Sequence, residues 1–192
     1  MQRVLIVHAS RHGGTAGIAD RIGSVMRSAG VDATVSTAAT MPDPQGFDGC
    51  VVGAGVYMGS WVKEGPEFLD RYAATLARMP VWLFSSGPLP GSSKTVANVE
   101  PLEHALGPAA GPGSGGRRRI EALAEVIHPR EHRVFQGVFD PADPPKTLPE
   151  RVVRMMPVAK GILPAGDFRE WPVIEEWARE IANELRTPVA VG

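Results

Sequence analysis

The first segment with residues suited to binding is the loop 10–16, which reads Ser-Arg-His-Gly-Gly-Thr-Ala and leads into a helical pattern. Two adjacent glycines let the backbone approach a ligand, and the first amides of a helix are unpaired donors at the positive end of its dipole. The hydroxyls of Ser10 and Thr15 add donors, and His12 is a further candidate. This combination fits a phosphate monoester. The alternative is an ordinary strand-to-helix turn with Thr15 as the N-cap.

Two further loops have residues suited to a flat aromatic ligand. Residues 53–61 read Gly-Ala-Gly-Val-Tyr-Met-Gly-Ser-Trp, and residues 85–89 read Ser-Ser-Gly-Pro-Leu. The first loop offers a bed for a ring, unless Tyr57 and Trp61 only cap the core. One loop for a phosphate and two for a ring describe a mononucleotide site. The dinucleotide pattern G-x-G-x-x-G and the nucleotide P-loop pattern are both missing.

Other reactive side chains carry less information. The single cysteine, Cys50, lies in an apolar run, so we expect a buried thiol and not a nucleophile. His128 and His132 have the i, i+4 spacing of metal ligands, but Pro129 breaks the helix that would align them. We therefore expect no metal site and no covalent nucleophile.

The elements that position these loops follow from hydrophobic periodicity. Buried or alternating strands are predicted at residues 4–7, 31–35, 49–54, 81–84 and 134–139. Amphipathic helices are predicted around residues 18–29, 68–76, 120–127 and 171–185. Strands that alternate with helices predict an open, doubly wound α/β sheet, whose ligands bind beyond the carboxyl ends of the strands.

The composition sets the class of protein. The chain has 192 residues, which corresponds to one domain, and a formal net charge of −1. A charge this close to zero argues against nucleic acid as a partner. The N-terminal apolar run is too short for a signal peptide, and we find no stretch with the length of a membrane span. We therefore expect a soluble, cytoplasmic protein.

Three segments resemble the flavodoxin-like family, and within it the menaquinone-dependent protoporphyrinogen dehydrogenase group. Residues 10–15 are similar to that group's S/T-R-x-G-x-T phosphate loop, and residues 53–59 to its G-A-S-I-x-x-G loop beside the flavin. Residues 168–171 with 177–182 are similar to its closing helix. The resemblance covers residues 3–88 and 132–186. It departs from the pattern at Gly55, where serine is usual, and at Tyr57 and Met58, where a basic residue and an aromatic are common.

The resemblance implies FMN, a five-stranded parallel sheet of order 2-1-3-4-5 and flavin redox chemistry. It assigns the phosphate to the first loop and the isoalloxazine to the other two. The cofactor-binding residues that it implies are Ser10, Arg11, His12, Gly13, Gly14, Thr15, Ala16, Val56, Tyr57, Met58, Gly59, Ser86, Gly87, Pro88 and Leu89.

We interpret residues 1–192 as a single domain with insertions near 88–116 and 141–167. The second insertion includes Met155 and Met156 and is expected to cover the ring, to pack over the sheet edge, or to contact a membrane surface. The predicted function is an FMN oxidoreductase that passes electrons from a reduced substrate to a quinone-type acceptor. Its expected partner is a redox partner or a small hydrophobic substrate such as a quinone. A one-electron carrier and a flavin-free scaffold are the alternatives, and the oligomeric state stays open.

Overall fold

A computed structural model describes residues 1–57, 60–87, 94–96, 114–140, 142–146 and 165–187. Its strands are β1 (Arg3–Ala9), β2 (Asp32–Thr37), β3 (Gly49–Tyr57), β4 (Ser60–Trp61), β5 (Val81–Gly87), β6 (Lys94–Val96), β7 (Glu131–Gln136), β8 (Val138–Phe139) and β9 (Gly166–Asp167). Its helices are α1 (Gly14–Ser28), α2 (Glu64–Leu76), α3 (Ser114–Ile127) and α4 (Trp171–Arg186), with a 3₁₀ turn at Ala38–Thr40. Within these ranges, no helix is both long and apolar enough to cross a membrane.

The main sheet has the order β2-β1-β3-β5-β7-β6. Strands β2, β1, β3, β5 and β7 are mutually parallel, and counted among themselves they follow the predicted order 2-1-3-4-5. The fold class is therefore confirmed. Two short antiparallel strands were not predicted: β4 pairs with the end of β3, and β6 pairs with β7 at the sheet edge.

Each face of the sheet packs against two helices, as the apolar strands require. Helices α1 and α4 cover one face, where the rings of Phe84, Phe135 and Trp177 pack with centroids 5.4–6.1 Å apart. Helices α2 and α3 cover the other face. Gly53 allows the close packing of the first face, because a Cβ there would lie 2.0 Å from the ring of Phe84.

The predicted strand limits are wrong by three residues at four strand ends. Strand β3 continues to Tyr57 because Val56 and Tyr57 pair with β4, and β5 continues to Gly87 because it still pairs with β7. The last parallel strand begins at Glu131, and its predicted end, residues 138–139, belongs to a separate ribbon with β9. The polar start of β7 hides it from a search for apolar runs.

His132, at the start of β7, joins a hydrogen-bonded group in the core between the sheet and helices α2 and α3. The indole Nε1 of Trp61 donates to Ser85 Oγ at 2.8 Å, and Ser85 Oγ lies 2.9 Å from His132 Nε2. The rings of Trp61 and His132 meet edge to face at 5.8 Å. Burial lowers the pKa of His132 to about 4, so the ring is neutral at pH 7.

This histidine predicts a loss of stability in mild acid. Between pH 6.5 and 4 the unfolded chain binds a proton at this imidazole that the folded chain does not, so the free energy of unfolding falls as the pH falls. We expect a contribution of about 2–3 kcal/mol, measured by urea unfolding across this pH range. His132→Asn should flatten the pH dependence, whereas His128→Gln, at an exposed histidine, should leave it unchanged. An unchanged slope in His132→Asn would contradict this assignment.

Candidate functional site

The predicted phosphate loop lies between β1 and α1, at the carboxyl edge of the parallel sheet. Gly13 is the N-cap of α1 and has a φ of 83°. Among the described residues, no side-chain cap accepts a hydrogen bond from the first helical amides, and the first turn has no acidic residue. The first helical hydrogen bond runs from Gly17 N to Gly13 O at 2.9 Å. The amides of residues 14–16 are therefore the donors available to an anion. Thr15 is not the N-cap, contrary to the alternative reading of the loop.

Two buried polar atoms at this edge have no hydrogen-bond partner among the described residues. They are Ser10 Oγ in the loop and His8 Nδ1 at the end of β1. Burial lowers the pKa of His8, opposed in part by the carboxylate of Asp20. Buried polar groups are normally paired, so an orphaned hydroxyl beside open helix amides indicates a place for a polar ligand.

The end of β3 meets the phosphate loop through Tyr57. The guanidinium carbon of Arg11 lies 4.7 Å from the centroid of the Tyr57 ring, and the ring of His12 lies 5.9 Å from it. A Cβ on Gly55 would lie 3.0 Å from Tyr57 Cε2 and 3.1 Å from Thr15 Oγ1. The glycine at position 55 therefore leaves the space that the tyrosine ring and the threonine hydroxyl use, which gives a physical reason for the missing serine.

The end of β5 lies beside β3 at the same edge. Ser86 is the register partner of Gly55, and a Cβ on Gly87 would lie 3.5 Å from Val56. The structure thus brings the first loop together with residues 56–57 and 86–87. Met58, Gly59, Pro88 and Leu89 lie outside the described residues.

Several of the predicted binding residues lie in strands or in the core and not in exposed loops. Val56, Tyr57, Ser86 and Gly87 are strand residues and not loop residues, because both strands are longer than predicted. The side chains of Val56 and Ser86 are buried. Trp61 packs in the core and donates to Ser85, so it does not form a bed for a ligand. Tyr57 is half-buried and contacts both the core and the loop.

Predicted and alternative reactive groups lie apart from this edge. Cys50 is fully buried, and burial raises the pKa of its thiol above the usual range. His128 is exposed in a left-handed conformation, while His132 is engaged with Ser85. Within the described ranges, no group of three or more histidine, cysteine, aspartate or glutamate side chains could hold a metal ion.

The structure also adds residues that the sequence did not single out. Val138 packs on Gly14, where a Cβ would lie 2.8 Å from Val138 Cγ1. Asp143 Oδ2 lies 3.8 Å from His12 Nδ1, and the ammonium of Lys146 donates to the carbonyl of Arg11. These contacts join positions more than 120 residues apart, and no local pattern in the sequence indicates them.

The family model described as the flavodoxin domain matches residues 5–110, which is more than half of the chain. The chain belongs to the flavodoxin domain family. The match includes all three predicted binding segments. A comparison with curated proteins finds no match.

Solved flavodoxins and related proteins share the fold at low sequence identity. A flavodoxin from the domain Archaea aligns with a TM-score of 0.58 and 13% identity, covering 97% of this chain and 100% of that one. Flavodoxin 1 from Bacillus cereus gives 0.55 and 15%, covering 95% and 98%. Rubredoxin oxygen:oxidoreductase from Desulfovibrio gigas gives 0.55 and 10%, with 96% of this chain covering 36% of that protein.

FMN is the cofactor of this family, and the residues present fit it. The amides of residues 14–16, the buried hydroxyl of Ser10 and the side chain of Thr15 would hold the phosphate. Tyr57 and the end of β5 would lie toward the ring. Neither the family model nor the solved structures assign this chain to the protoporphyrinogen dehydrogenase group in particular.

The phosphate assignment predicts a selective effect of Thr15→Ala. A hydrogen bond to a charged group contributes about 1.5–3 kcal/mol, so loss of the hydroxyl should weaken FMN binding about 10- to 100-fold. Riboflavin, which lacks the phosphate, should bind Thr15→Ala and the wild-type protein equally. Flavin fluorescence quenching measures both dissociation constants, and Thr34→Ala, at an exposed threonine on β2, is the matched control.

Gly13 provides a second control on the same loop. A Cβ there meets no atom within 4 Å, so only its left-handed backbone restricts substitution. Gly13→Asn should retain FMN, since asparagine tolerates positive φ, whereas Gly13→Val should lose it.

Equal weakening of FMN and riboflavin in Thr15→Ala would show that the loop does not hold the phosphate.

Proposed function

We propose that this flavodoxin domain is an FMN-dependent oxidoreductase that passes electrons from a reduced substrate to a quinone-type acceptor, in the manner of the protoporphyrinogen dehydrogenase group. FMN supplies the redox chemistry when bound, and the protein supplies binding, orientation and electrostatics. Cytoplasmic location stays a prediction.

The observation that carries this proposal is the position of the second insertion. Strand β8 enters it and β9 leaves it, and the two pair antiparallel through Val138↔Asp167 and Phe139↔Gly166. Val138 also packs on Gly14 and Arg169 on Gly17, so both ends of the insertion lie beside the start of α1. A simple sheet of this order does not need such an addition at its cofactor edge.

The returning end of the insertion is held against α1. The guanidinium of Arg169 pairs with the carboxylate of Asp167 at 2.5 Å and lowers its pKa. A Cβ on Gly17 would lie 2.6 Å from Arg169 Nη1, so the side chain rests directly on the first turns of the helix. The guanidinium carbons of Arg169 and Arg21 lie 4.4 and 5.0 Å from the centroid of the Trp171 ring. This anchorage fixes the returning end of the insertion beside the first turns of α1.

The charge of the chain favours an enzyme over a one-electron carrier. Carriers of this family are typically strongly acidic, whereas this chain has a formal net charge of −1. At the phosphate loop itself, Arg11 and Lys146 bring positive charge to the cofactor edge. An acceptor without charge, such as a quinone, does not depend on electrostatic steering, whereas a basic partner protein is typically steered by an acidic surface.

The insertion supplies the test. In one variant, residues 147–164 are replaced by a flexible Gly-Ser linker, which retains β8, β9 and the phosphate loop. In a second, Met155→Ser and Met156→Ser are combined; both methionines lie outside the described residues. After anaerobic reduction, oxidation by a short-chain quinone should slow about tenfold or more in both variants, because the apolar cover for a hydrophobic acceptor is lost. Oxidation by ferricyanide and the dissociation constant for FMN should stay within about threefold.

Three results separate the proposed function from its alternatives. Equal slowing toward quinone and ferricyanide would contradict a role of the insertion in acceptor binding. Wild-type protein that reduces a one-electron protein acceptor rapidly and quinones slowly would identify a carrier. Protein that binds no FMN would identify a scaffold.

A further inference from the structure

The strap is defined as residues 138–140 and 142–146. It contacts the phosphate loop and lies outside the three predicted binding segments. We propose that two charged residues of the strap, Lys146 and Asp143, set the electrostatic selectivity of the site for the phosphate of FMN with opposite signs. The inference rests on the assignment of FMN to this loop and concerns residues outside the region that the family model matches.

The strap is fixed on the loop by contacts at three points. Val138 packs on Gly14, Asp143 Oδ2 lies 3.8 Å from His12 Nδ1, and the Lys146 ammonium donates to the Arg11 carbonyl. The strap is also held internally, because Asp140 Oδ1 accepts from the amide of Ala142 at 2.8 Å and Asp140 O from the amide of Asp143 at 3.2 Å. Its charges therefore have defined positions relative to the loop.

Lys146 places a cation on the backbone of the loop. Its hydrogen bond goes to Arg11, two residues before the Gly13 N-cap of α1. The ammonium adds a full positive charge to the partial charges of the loop's amides and hydroxyls.

Asp143 places an anion at the same loop. Its carboxylate faces His12, whose side chain is only 13% exposed. A phosphate monoester carries about −1.5 to −2 charges at pH 7, so Lys146 attracts it and Asp143 repels it. Riboflavin has no phosphate and does not respond to either charge.

The size of the effect follows from exposure. Lys146 is exposed and Asp143 is partly exposed, so water and salt screen both charges. At low salt the Debye length is about 30 Å and at 1 M salt it is about 3 Å, so the selectivity should be strong in the first condition and weak in the second. Exposed charge pairs contribute modestly, which limits each substitution to an effect of about three- to tenfold.

The experiment titrates three variants with FMN and riboflavin at about 0.01 M and about 1 M salt. Lys146→Gln should weaken FMN binding about three- to tenfold at low salt, and Asp143→Asn should strengthen it about two- to fivefold. Lys146→Arg keeps the charge and should stay within about twofold. Riboflavin affinity should not change in any variant, and 1 M salt should remove the differences. Lys63→Gln, at an exposed lysine before α2, is the matched control.

The opposite signs distinguish charge from structural support. If the strap only holds the loop in shape, both Lys146→Gln and Asp143→Asn weaken FMN, riboflavin shifts in parallel and salt has no effect; any of these results overturns the inference. Wild-type protein that does not bind FMN overturns the cofactor assignment and the inference with it. Normal wild-type binding with unchanged variants overturns the inference alone.

Discussion

The first turn of α1 has amide donors that the described chain does not satisfy, and the rest of the site depends on this constraint. Helix starts are usually capped by a side chain, but here Gly13 takes a left-handed conformation and contributes none. The helix dipole adds partial positive charge at the same point. A bound anion satisfies these donors, and the buried hydroxyl of Ser10 lies at the same loop. The folded protein thus presents donors that suit an anion such as a phosphate.

The parallel sheet places further residues beside these amides. Strands β1, β3 and β5 end at one edge, which brings Tyr57 and the end of β5 beside the loop. Gly55 lets the Tyr57 ring lie close to Thr15, and Arg11 and His12 contact the same ring. The predicted phosphate loop and the predicted ring side are therefore in direct contact. The ends of the insertion are held near the same edge by β8, β9 and Arg169.

Much of this arrangement follows from the sequence, because apolar runs and helical stripes report burial directly. The five parallel strands, their order and the four helices were predictable, the order through family resemblance. The ends of β3 and β5 were not, since Tyr57, Ser85 and Ser86 are polar residues whose partners lie on other strands. The start of β7 was missed because its residues are also polar and have distant partners. Glu131 accepts from Trp177 Nε1 on α4, and His132 pairs with Ser85 on β5. Contacts such as Lys146 with Arg11 depend on the folded path of the chain and have no local signature.

The central claim is that this flavodoxin domain binds FMN through the open amides at the start of α1. The most direct measurement is to purify the protein, denature it and identify the released flavin by chromatography, with reconstitution of any flavin-free fraction. The account predicts yellow protein that releases FMN and no FAD, at about one flavin per chain. Colourless protein that stays colourless after incubation with excess FMN, or protein that releases FAD, would contradict it.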